Sequence, residues 1–456
     1  MNQKDLEQFL EIVQLIVQEE QEIPVTKPLN IEELHSLLDL KLEDEPVSDE
    51  IFFASFKELV KHTPKTASKS FFNQLIGGRR SRAVLGDLVS SVLNNSMYTY
   101  KVAGPMVAVE KEIIKKTADL LGYPASYSGT IASGGSISNF MAMVLGRDAK
   151  ANTIEDGINH PMILYTSEAC HYSVAKNASL MGIGRKQVRF IPTNEVGEMD
   201  MALLEAQIIA DYAQNKLPFF VNVTSGTTVL GAFDDIEKAS VICKKHQLWL
   251  HVDGAYCGAA IFSHEYKHLL KGVELSDSFS ISSHKMLGTP LTCSVFVTPH
   301  KEQLEQSFSS EASYLFQSEE DEFNPGKTSF QCGRRNDALK LWTLWKSIGT
   351  SGLEKLVNHQ FKLSEIARKY IRKNIDYQLF SFDNSISICF NYKNIDPKVL
   401  TAALHKHAKL MVSYGSFKDQ TFVRLVTINS DNSEEEIVEF FKKLEQFVRE
   451  NTLILQ

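Results

Sequence analysis

The chain has 456 residues, 43% of them hydrophobic, and a formal net charge of −8. That length suits two or three domains with large cores, and no apolar run reaches membrane-spanning length. The negative balance argues against nucleic acid or anionic lipid as a partner.

From the N-terminus, MNQKDLEQFLEIVQLIVQEE reads as an amphipathic helix with Phe9, Val13, Ile16 and Val17 on one face. It lacks the basic region and small-residue cleavage site of a secretory leader, so a mature cytoplasmic protein is expected. The acidic LEDEPVSDE (42–50) reads as a connector and GGRRSR (77–82) as an exposed loop, with contact to an acidic ligand or partner subunit as the alternative. MVAVEKEIIKKTADLLG predicts a helix with Met106, Val109, Ile113 and Leu120 on one side.

Beyond it, short runs rich in β-branched and aromatic residues read as strands: MILYTS (162–167), VRFIPT (188–193), FFVNVTSG (219–226), LWLHVD (248–253), SFSISS (278–283) and CSVFVT (293–298). Helical stretches separate several of them, such as 198–215 and 234–246, the latter opening on Asp234 with Glu237 in capping-box spacing. This alternation predicts an α/β fold with a largely parallel sheet buried on both faces. After about residue 335, long helices lead into the strands ISICFNY and FVRLVTI and a last helix, EEEIVEFFKKLEQFVRE, which reads as a small α+β C-terminal domain. The expected division is 1–90, a helical segment; 91–345, the large domain; and 346–456, the small one.

The six cysteines form no C-x-x-C and no zinc spacing, which suits free thiols in a reducing compartment. HKH at 405–407 falls on a helix, where residues two apart do not share a face, so no metal is expected there.

Ligands of open α/β sheets collect at the carboxyl ends of the strands. ASGGSISN (132–139) is a glycine-rich turn opening a helix, a place where backbone N–H groups can hold a phosphate. It has neither the nucleotide P-loop spacing nor G-x-G-x-x-G, which counts against a nucleotide-using α/β enzyme. SEACHYS (167–173) sets His171 at a helix start, and SGTTVLGAFDD sets Thr227 and Thr228 in a turn. Asp253 ends the strand LWLHVD, and Lys285 follows SFSISSH. Singly, each has an ordinary structural explanation: a satisfied histidine, a cap, a solvated charge. Jointly they fit one small molecule. A desolvated lysine captures an aldehyde, a carboxylate keeps a pyridine nitrogen protonated, an imidazole stacks on the ring, and the glycine turn holds a phosphate. Those are the four handles of pyridoxal 5′-phosphate.

The motifs FFNQL (71–75), GGSISNFMAM, SEACHYS, SGTTVLGAFDD, HVDGAY, SSHKMLGTPLTCS, ASYLFQ (312–317), FQCGRRNDALKLW (330–342) and FVR (422–424) closely resemble the group II pyridoxal-phosphate amino acid decarboxylases, nearest the glutamate and cysteine sulfinate branch. The resemblance covers about residues 70–430 in the expected order. It implies fold type I, the aspartate aminotransferase-like architecture with a largely parallel seven-stranded sheet in the large domain. It also implies an obligate homodimer with active sites at the interface, to which the 1–90 segment contributes. Residue by residue, it implies that Lys285 is the Schiff-base lysine and Asp253 the pyridine partner. His171 is the stacking residue, with Ala255 on the other ring face. Gly135, Ser136, Ser282 and His284 lie near the phosphate, Cys332 is a phosphate-side residue reaching the neighbouring chain's site, and Thr227 is beside the cofactor. Tyr314 is the mobile-loop tyrosine that returns a proton to the substrate carbon after carbon dioxide leaves.

Gln74, Ser96 and Arg424 are the substrate-side residues of the same resemblance, Arg424 as a bidentate partner for a carboxylate. The chain departs from the family in having Asp-Gly-Ala at 253–255, Ser-Ser-His-Lys at 282–285, a bulky Ile76 after FFNQL, and Ser96 where glutamate enzymes carry asparagine. Glutamate, aspartate and cysteine sulfinate all stay open as substrates, and Ile76 favours the shorter acids. Another amino acid class (aromatic or diamino), a decarboxylation-coupled aldehyde synthase, an aminotransferase and a non-catalytic homologue are the alternatives. The intact Lys285, Asp253 and His171 speak against the last.

Overall fold

The structure is a computed structural model and describes residues 2–22, 25, 29–309, 321–407, 410–453 and 455. Its Cα packing divides the chain into two units. One comprises Leu75–Lys362 with Ser381–Ser387; the other comprises Met1–Gln74, Leu363–Phe380 and Ile388–Gln456.

In the larger unit the strands are β1 (Ser128–Ala132), β2 (Met162–Ser167), β3 (Val188–Ile191), β4 (Leu217–Thr224), β5 (Trp249–Asp253), β6 (Ser278–Ser282) and β7 (Ser294–Thr298). They form one sheet in the order β1-β7-β6-β5-β4-β2-β3. Only β7 runs against its neighbours; β6, β5, β4, β2 and β3 pair in parallel. The carboxyl ends of six strands therefore share one edge. The expected seven-stranded α/β sheet is the one observed.

Residues alternate across a strand, so strand register puts one side-chain row on one face. Here Asn222, His251 and Ser278 are in register across β4, β5 and β6, and Thr224, Asp253 and Ser280 follow two residues on. All six are buried. The sheet thus carries a polar stripe, which leads to its carboxyl edge. The helix Gly135–Lys150 takes part in the core beside this stripe, with Met141, Met143, Val144 and Leu145 in one cluster with Leu164, Phe220 and Trp249. Burying each such large side chain contributes roughly 1.5–3 kcal/mol. Gly146 allows the close approach: a Cβ there would lie 2.8 Å from the Phe220 ring and 2.9 Å from Trp249 Cβ.

Some local expectations need correcting. The helix Ile236–His246 is capped by Asp235, which accepts from Lys238 N, and not by Asp234. Asp234 is drawn inward instead, where it accepts from Met199 N at 2.7 Å and Thr224 N at 2.8 Å. The two helical stretches expected after residue 335 are both present within Ala338–Arg372, separated at Gly349, whose φ of +69° is not helical.

The other unit holds a four-stranded sheet of β8 (Tyr377–Leu379), β9 (Ser387–Tyr392), β10 (Ser413–Phe417) and β11 (Gln420–Val426) in the order β10-β11-β9-β8. Phe390, Phe440, Phe441 and Leu444 share its core. Its last helix, Glu434–Glu450, begins with a complete capping box of Ser433 and Glu436. Among the described residues no helix is long and apolar enough to cross a membrane.

Candidate active site

The carboxyl edge of the larger sheet opens into a cavity of about 250 Å³. Its walls include Gly134, Gly135 and Ser136 after β1, His171 after β2, Thr224 and Thr228 at the end of β4, Asp253 and Ala255 at the end of β5, and His284 and Lys285 after β6. Segments more than 150 residues apart in the chain thus meet in one place because their strands end side by side.

Lys285 rides on the loop between the antiparallel strands β6 and β7. That loop is pinned from within: Ser283 Oγ contacts Thr289 Oγ1 at 2.8 Å, and His284 Nδ1 accepts from Cys293 N at 3.1 Å. Outside the loop, Gln360 Nε2 donates to Met286 O at 2.6 Å and Lys340 Nζ to Thr292 O at 3.3 Å. Burial pushes the Lys285 ammonium below its ordinary pKa, with Asp253 and Cys257 pulling the other way. A lysine so desolvated has more of the neutral amine that attacks carbonyl carbon. Burial and then Lys285 bring His284 down to about 4. Burial also lowers His171, which Asp253 raises and Lys285 lowers further.

Asp253 is buried, its Oδ1 accepting from Ala255 N at 3.1 Å and its Oδ2 from Asn139 Nδ2 at 2.7 Å. The glycine turn is equally specific. Gly134 has φ +119°, and a Cβ on Gly135 would sit 2.8 Å from Ala255 Cβ. No side chain caps the helix that starts there, so its first N–H groups are available to an anion. Thr224 Oγ1, in the cavity wall, is buried without a hydrogen-bond partner among the described residues. An amine, a carboxylate, an anion cradle and an orphaned hydroxyl around one small cavity fit pyridoxal 5′-phosphate.

Several residues named from the sequence stand apart from the cavity wall. Thr227 turns its hydroxyl onto Ala232 N at 3.0 Å, and Thr228 faces the cavity instead. Ser282 backs the turn from behind, its Oγ 3.4 Å from where a Gly135 Cβ would be and 3.2 Å from Ser294 Oγ. Cys332 is exposed, and Ser96 Oγ accepts from Arg334 N at 3.4 Å. Gln74 and Arg424 belong to the other unit. There Gln74 has φ +53°, and Arg424 is buried with Nη2 3.4 Å from Ser413 Oγ. Tyr314 lies outside the described residues. Sequence reasoning passed over Asn139, Tyr172 and Tyr256, all in the wall. For Asn139 the available signal was one amide in the stretch ISNFMAMVL, apolar but for it and Ser138.

A depressed lysine and a carboxylate facing one phosphate cradle, at the carboxyl edge of this sheet, are the working parts of a fold-type-I pyridoxal-phosphate enzyme. Comparison with known proteins narrows the class. The pyridoxal-dependent decarboxylase conserved domain matches residues 31–393. Cysteine sulfinic acid decarboxylase of Mus musculus is 38% identical over 368 residues, 79% of this chain and 74% of the relative. The acidic amino acid decarboxylase GADL1 of Xenopus tropicalis is 33% identical over 445 residues, 92% of this chain and 87% of that one. The crystal structure of mouse CSAD matches with a TM-score of 0.91 at 32% identity, covering 100% of both chains. The chain belongs to the pyridoxal-dependent decarboxylases, and it is a carboxy-lyase that uses pyridoxal 5′-phosphate.

Proposed function

We propose that this enzyme removes the α-carboxylate of an acidic L-amino acid (glutamate, aspartate or cysteine sulfinate, the shorter two preferred) and works as a cytoplasmic homodimer. The reading is carried by one juxtaposition, Lys285 and Asp253 in the walls of a single cavity. The acidic substrate is supported by the relatives, which act on cysteine sulfinic acid and on acidic amino acids.

When bound, pyridoxal phosphate supplies the electron sink for the pair left by departing carbon dioxide. Lys285, whose buried amine is pushed towards its neutral form, would hold the cofactor through its aldehyde. Asp253 keeps a negative charge at the ring nitrogen, which favours its protonated form. His171 and Ala255, both in the cavity wall, would flank the cofactor ring. Gly135, Ser136 and His284 would lie near the phosphate, with Ser282 behind the glycine turn, Cys332 on the phosphate side of the neighbouring chain's site and Thr227 in the turn beside the cofactor. Gln74, Ser96 and Arg424 recognise the substrate, Arg424 through a carboxylate. Tyr314 returns the proton to the substrate carbon.

The dimer is supported by apolar surface on the helices near the N-terminus. Leu6, Phe9, Leu10, Val13 and Val17 are exposed on Gln3–Glu22, as are Ile51, Phe52 and Phe56 on Asp49–His62 and Leu85, Leu88 and Val92 on Ser81–Leu93. Leu6, Phe9, Leu10, Val13 and Val17 follow helical spacing and so share one face of Gln3–Glu22, the kind of contiguous apolar surface that an interface covers.

Carbon dioxide release across acidic, aromatic and diamino acids tests the substrate. The expected result is amine and carbon dioxide in equal amounts from an acidic amino acid, with the shorter acids fastest. Turnover confined to aromatic or diamino acids, or aldehyde with ammonia and peroxide as products, would overturn it.

A further inference from the structure

Asp253 does not stand alone in its cavity wall. Its Oδ2 accepts from Asn139 Nδ2 at 2.7 Å, and the same nitrogen lies 3.2 Å from Ser173 Oγ. Asn139 Oδ1 lies 3.1 Å from His251 Nε2. His251 Nδ1 lies 2.9 Å from Ser278 Oγ, and Ser278 Oγ lies 2.9 Å from Trp249 Nε1. On the other side, Ser173 Oγ lies 2.8 Å from His171 Nδ1. Asn139, His251, Ser278 and Ser173 are all buried.

Donor and acceptor capacities allow one assignment. An ionised carboxylate only accepts, so the Asn139 amide nitrogen faces Asp253 and its oxygen faces His251. The amide oxygen only accepts, so His251 carries its proton on Nε2 and accepts at Nδ1. The donor to Nδ1 is the Ser278 hydroxyl, which accepts in turn from the indole N–H of Trp249, a donor only. Ser173 accepts from Asn139 and gives its own proton to His171 Nδ1. The backbone N–H of Ser173 donates to that same ring nitrogen at 3.2 Å, so the neutral His171 ring carries its proton on Nε2. Every bond runs outward from Trp249 and none conflicts with another.

We propose that Asn139 is a positioning residue for Asp253 and His171 together, and that His251 holds its amide the right way round. The proposal rests on the roles given above to Asp253 and His171. If the amide reversed, its oxygen would face the Asp253 carboxylate, two acceptors in contact within a buried site; the His251 N–H prevents this. Burial lowers His251 to about 4, so the neutral form that the chain of bonds needs persists through the physiological range. The carboxylate and the imidazole, on different elements, are thereby held by one amide.

The test measures binding of pyridoxal 5′-phosphate to the full-length protein stripped of cofactor, from mildly alkaline to mildly acidic pH, each variant against native protein at the same pH. Asn139→Leu is expected to weaken binding roughly 10–100-fold, the range for losing a hydrogen bond to a charged group. Asn139→Asp is expected to be as weak at alkaline pH, then to recover as the pH falls, because the introduced carboxyl, once protonated, regains a donor towards Asp253. His251→Phe is expected to weaken binding and His251→Gln, which keeps an N–H donor, to restore it. Circular dichroism melts of the same samples identify any variant that fails to fold, and the remaining variants decide the question. Unchanged binding in Asn139→Leu, or a loss in Asn139→Asp that is the same at every pH, would overturn the proposal. These titrations do not depend on which amino acid is decarboxylated: a failed substrate panel with intact binding differences would reject the substrate and leave Asn139 its role.

Discussion

Two buried aspartates in the same unit illustrate opposite uses of charge. Asp211 is saturated. Arg189 reaches it at 2.9 Å, Lys216 at 3.0 Å, and Gln207 and Tyr165 at 3.1 Å each. Burial raises its carboxyl, but the hydrogen bonds from Arg189, Gln207 and Lys216 prevail and hold it at about 2. Asp253 is equally buried, yet its side chain accepts only from one neutral amide and one backbone N–H, and its cationic neighbour Lys285 makes no side-chain hydrogen bond among the described residues. A buried charge satisfied by its own chain is costly only when a partner is taken away; one whose partner is left uncommitted is set for a ligand. Asp211 lies under β2 and β3, away from the cavity, and Asp253 ends the strand that leads into it.

Replacing Lys285 should separate the two most sharply. Lys285→Ala is expected to reduce carbon dioxide release at least about a thousandfold. Mass spectrometry after borohydride reduction should find cofactor attached to the native chain and none on the variant. The cofactor-free variant should unfold at the same urea concentration as native protein, or a higher one, since a desolvated and unsatisfied ammonium has been removed. A large drop in stability would mean that Lys285 is structural, like Arg189.

The converse change is Asp211→Asn. It leaves Arg189 and Lys216 without their counter-charge and is expected to cost about 3–5 kcal/mol in urea unfolding of the cofactor-free protein. Turnover per folded, cofactor-loaded site should stay within about twofold of native. A variant that folds normally but loses turnover would erase the distinction between the two aspartates.

The contrast could be half read beforehand. Strand ends that carry chemistry follow from patterns within a few residues: LWLHVD is apolar up to its acid, and MILYTS is the strand Met162–Ser167 to the residue. The helix Glu434–Glu450 likewise coincides with its amphipathic run. What escaped notice depends on neighbours far along the chain. SGTIA has one large apolar residue and becomes β1 only because Phe296 and Val297 of β7 pair with it. Asp234 looked like a cap because it precedes a helix; Met199 N and Thr224 N claim it, and both are set by the fold. Asn139 sits in the quoted glycine motif, but its partners come from β5 and from the start of the helix Ser173–Leu180, and no spacing in the sequence brings them together.

The smallest expected effect concerns the neutral histidine beside Asp253. His251 has a folded-state pKa of about 4 against an ordinary 6.5, with burial as the main cause. Between those values the unfolded chain binds a proton that the folded chain refuses, so stability falls as the pH drops from about 6.5 towards 4. The shift corresponds to a loss on the order of 3 kcal/mol. His284, also at about 4, acts in the same direction. Asp234 acts in the opposite one: burial pushes its carboxyl up to about 7, so the folded state keeps a proton that the unfolded state releases, and acidification from there stabilises it. The native slope is therefore a partial cancellation, and a difference between variants isolates one contributor. His251→Gln keeps a donor for Asn139 and cannot titrate. In urea unfolding of the cofactor-free protein, its stability should fall about 3 kcal/mol less than that of native protein over the same acid range. Parallel curves would mean that the folded chain takes up the His251 proton as readily as the unfolded one, and the single direction of bonding towards Asp253 would then fail in acid.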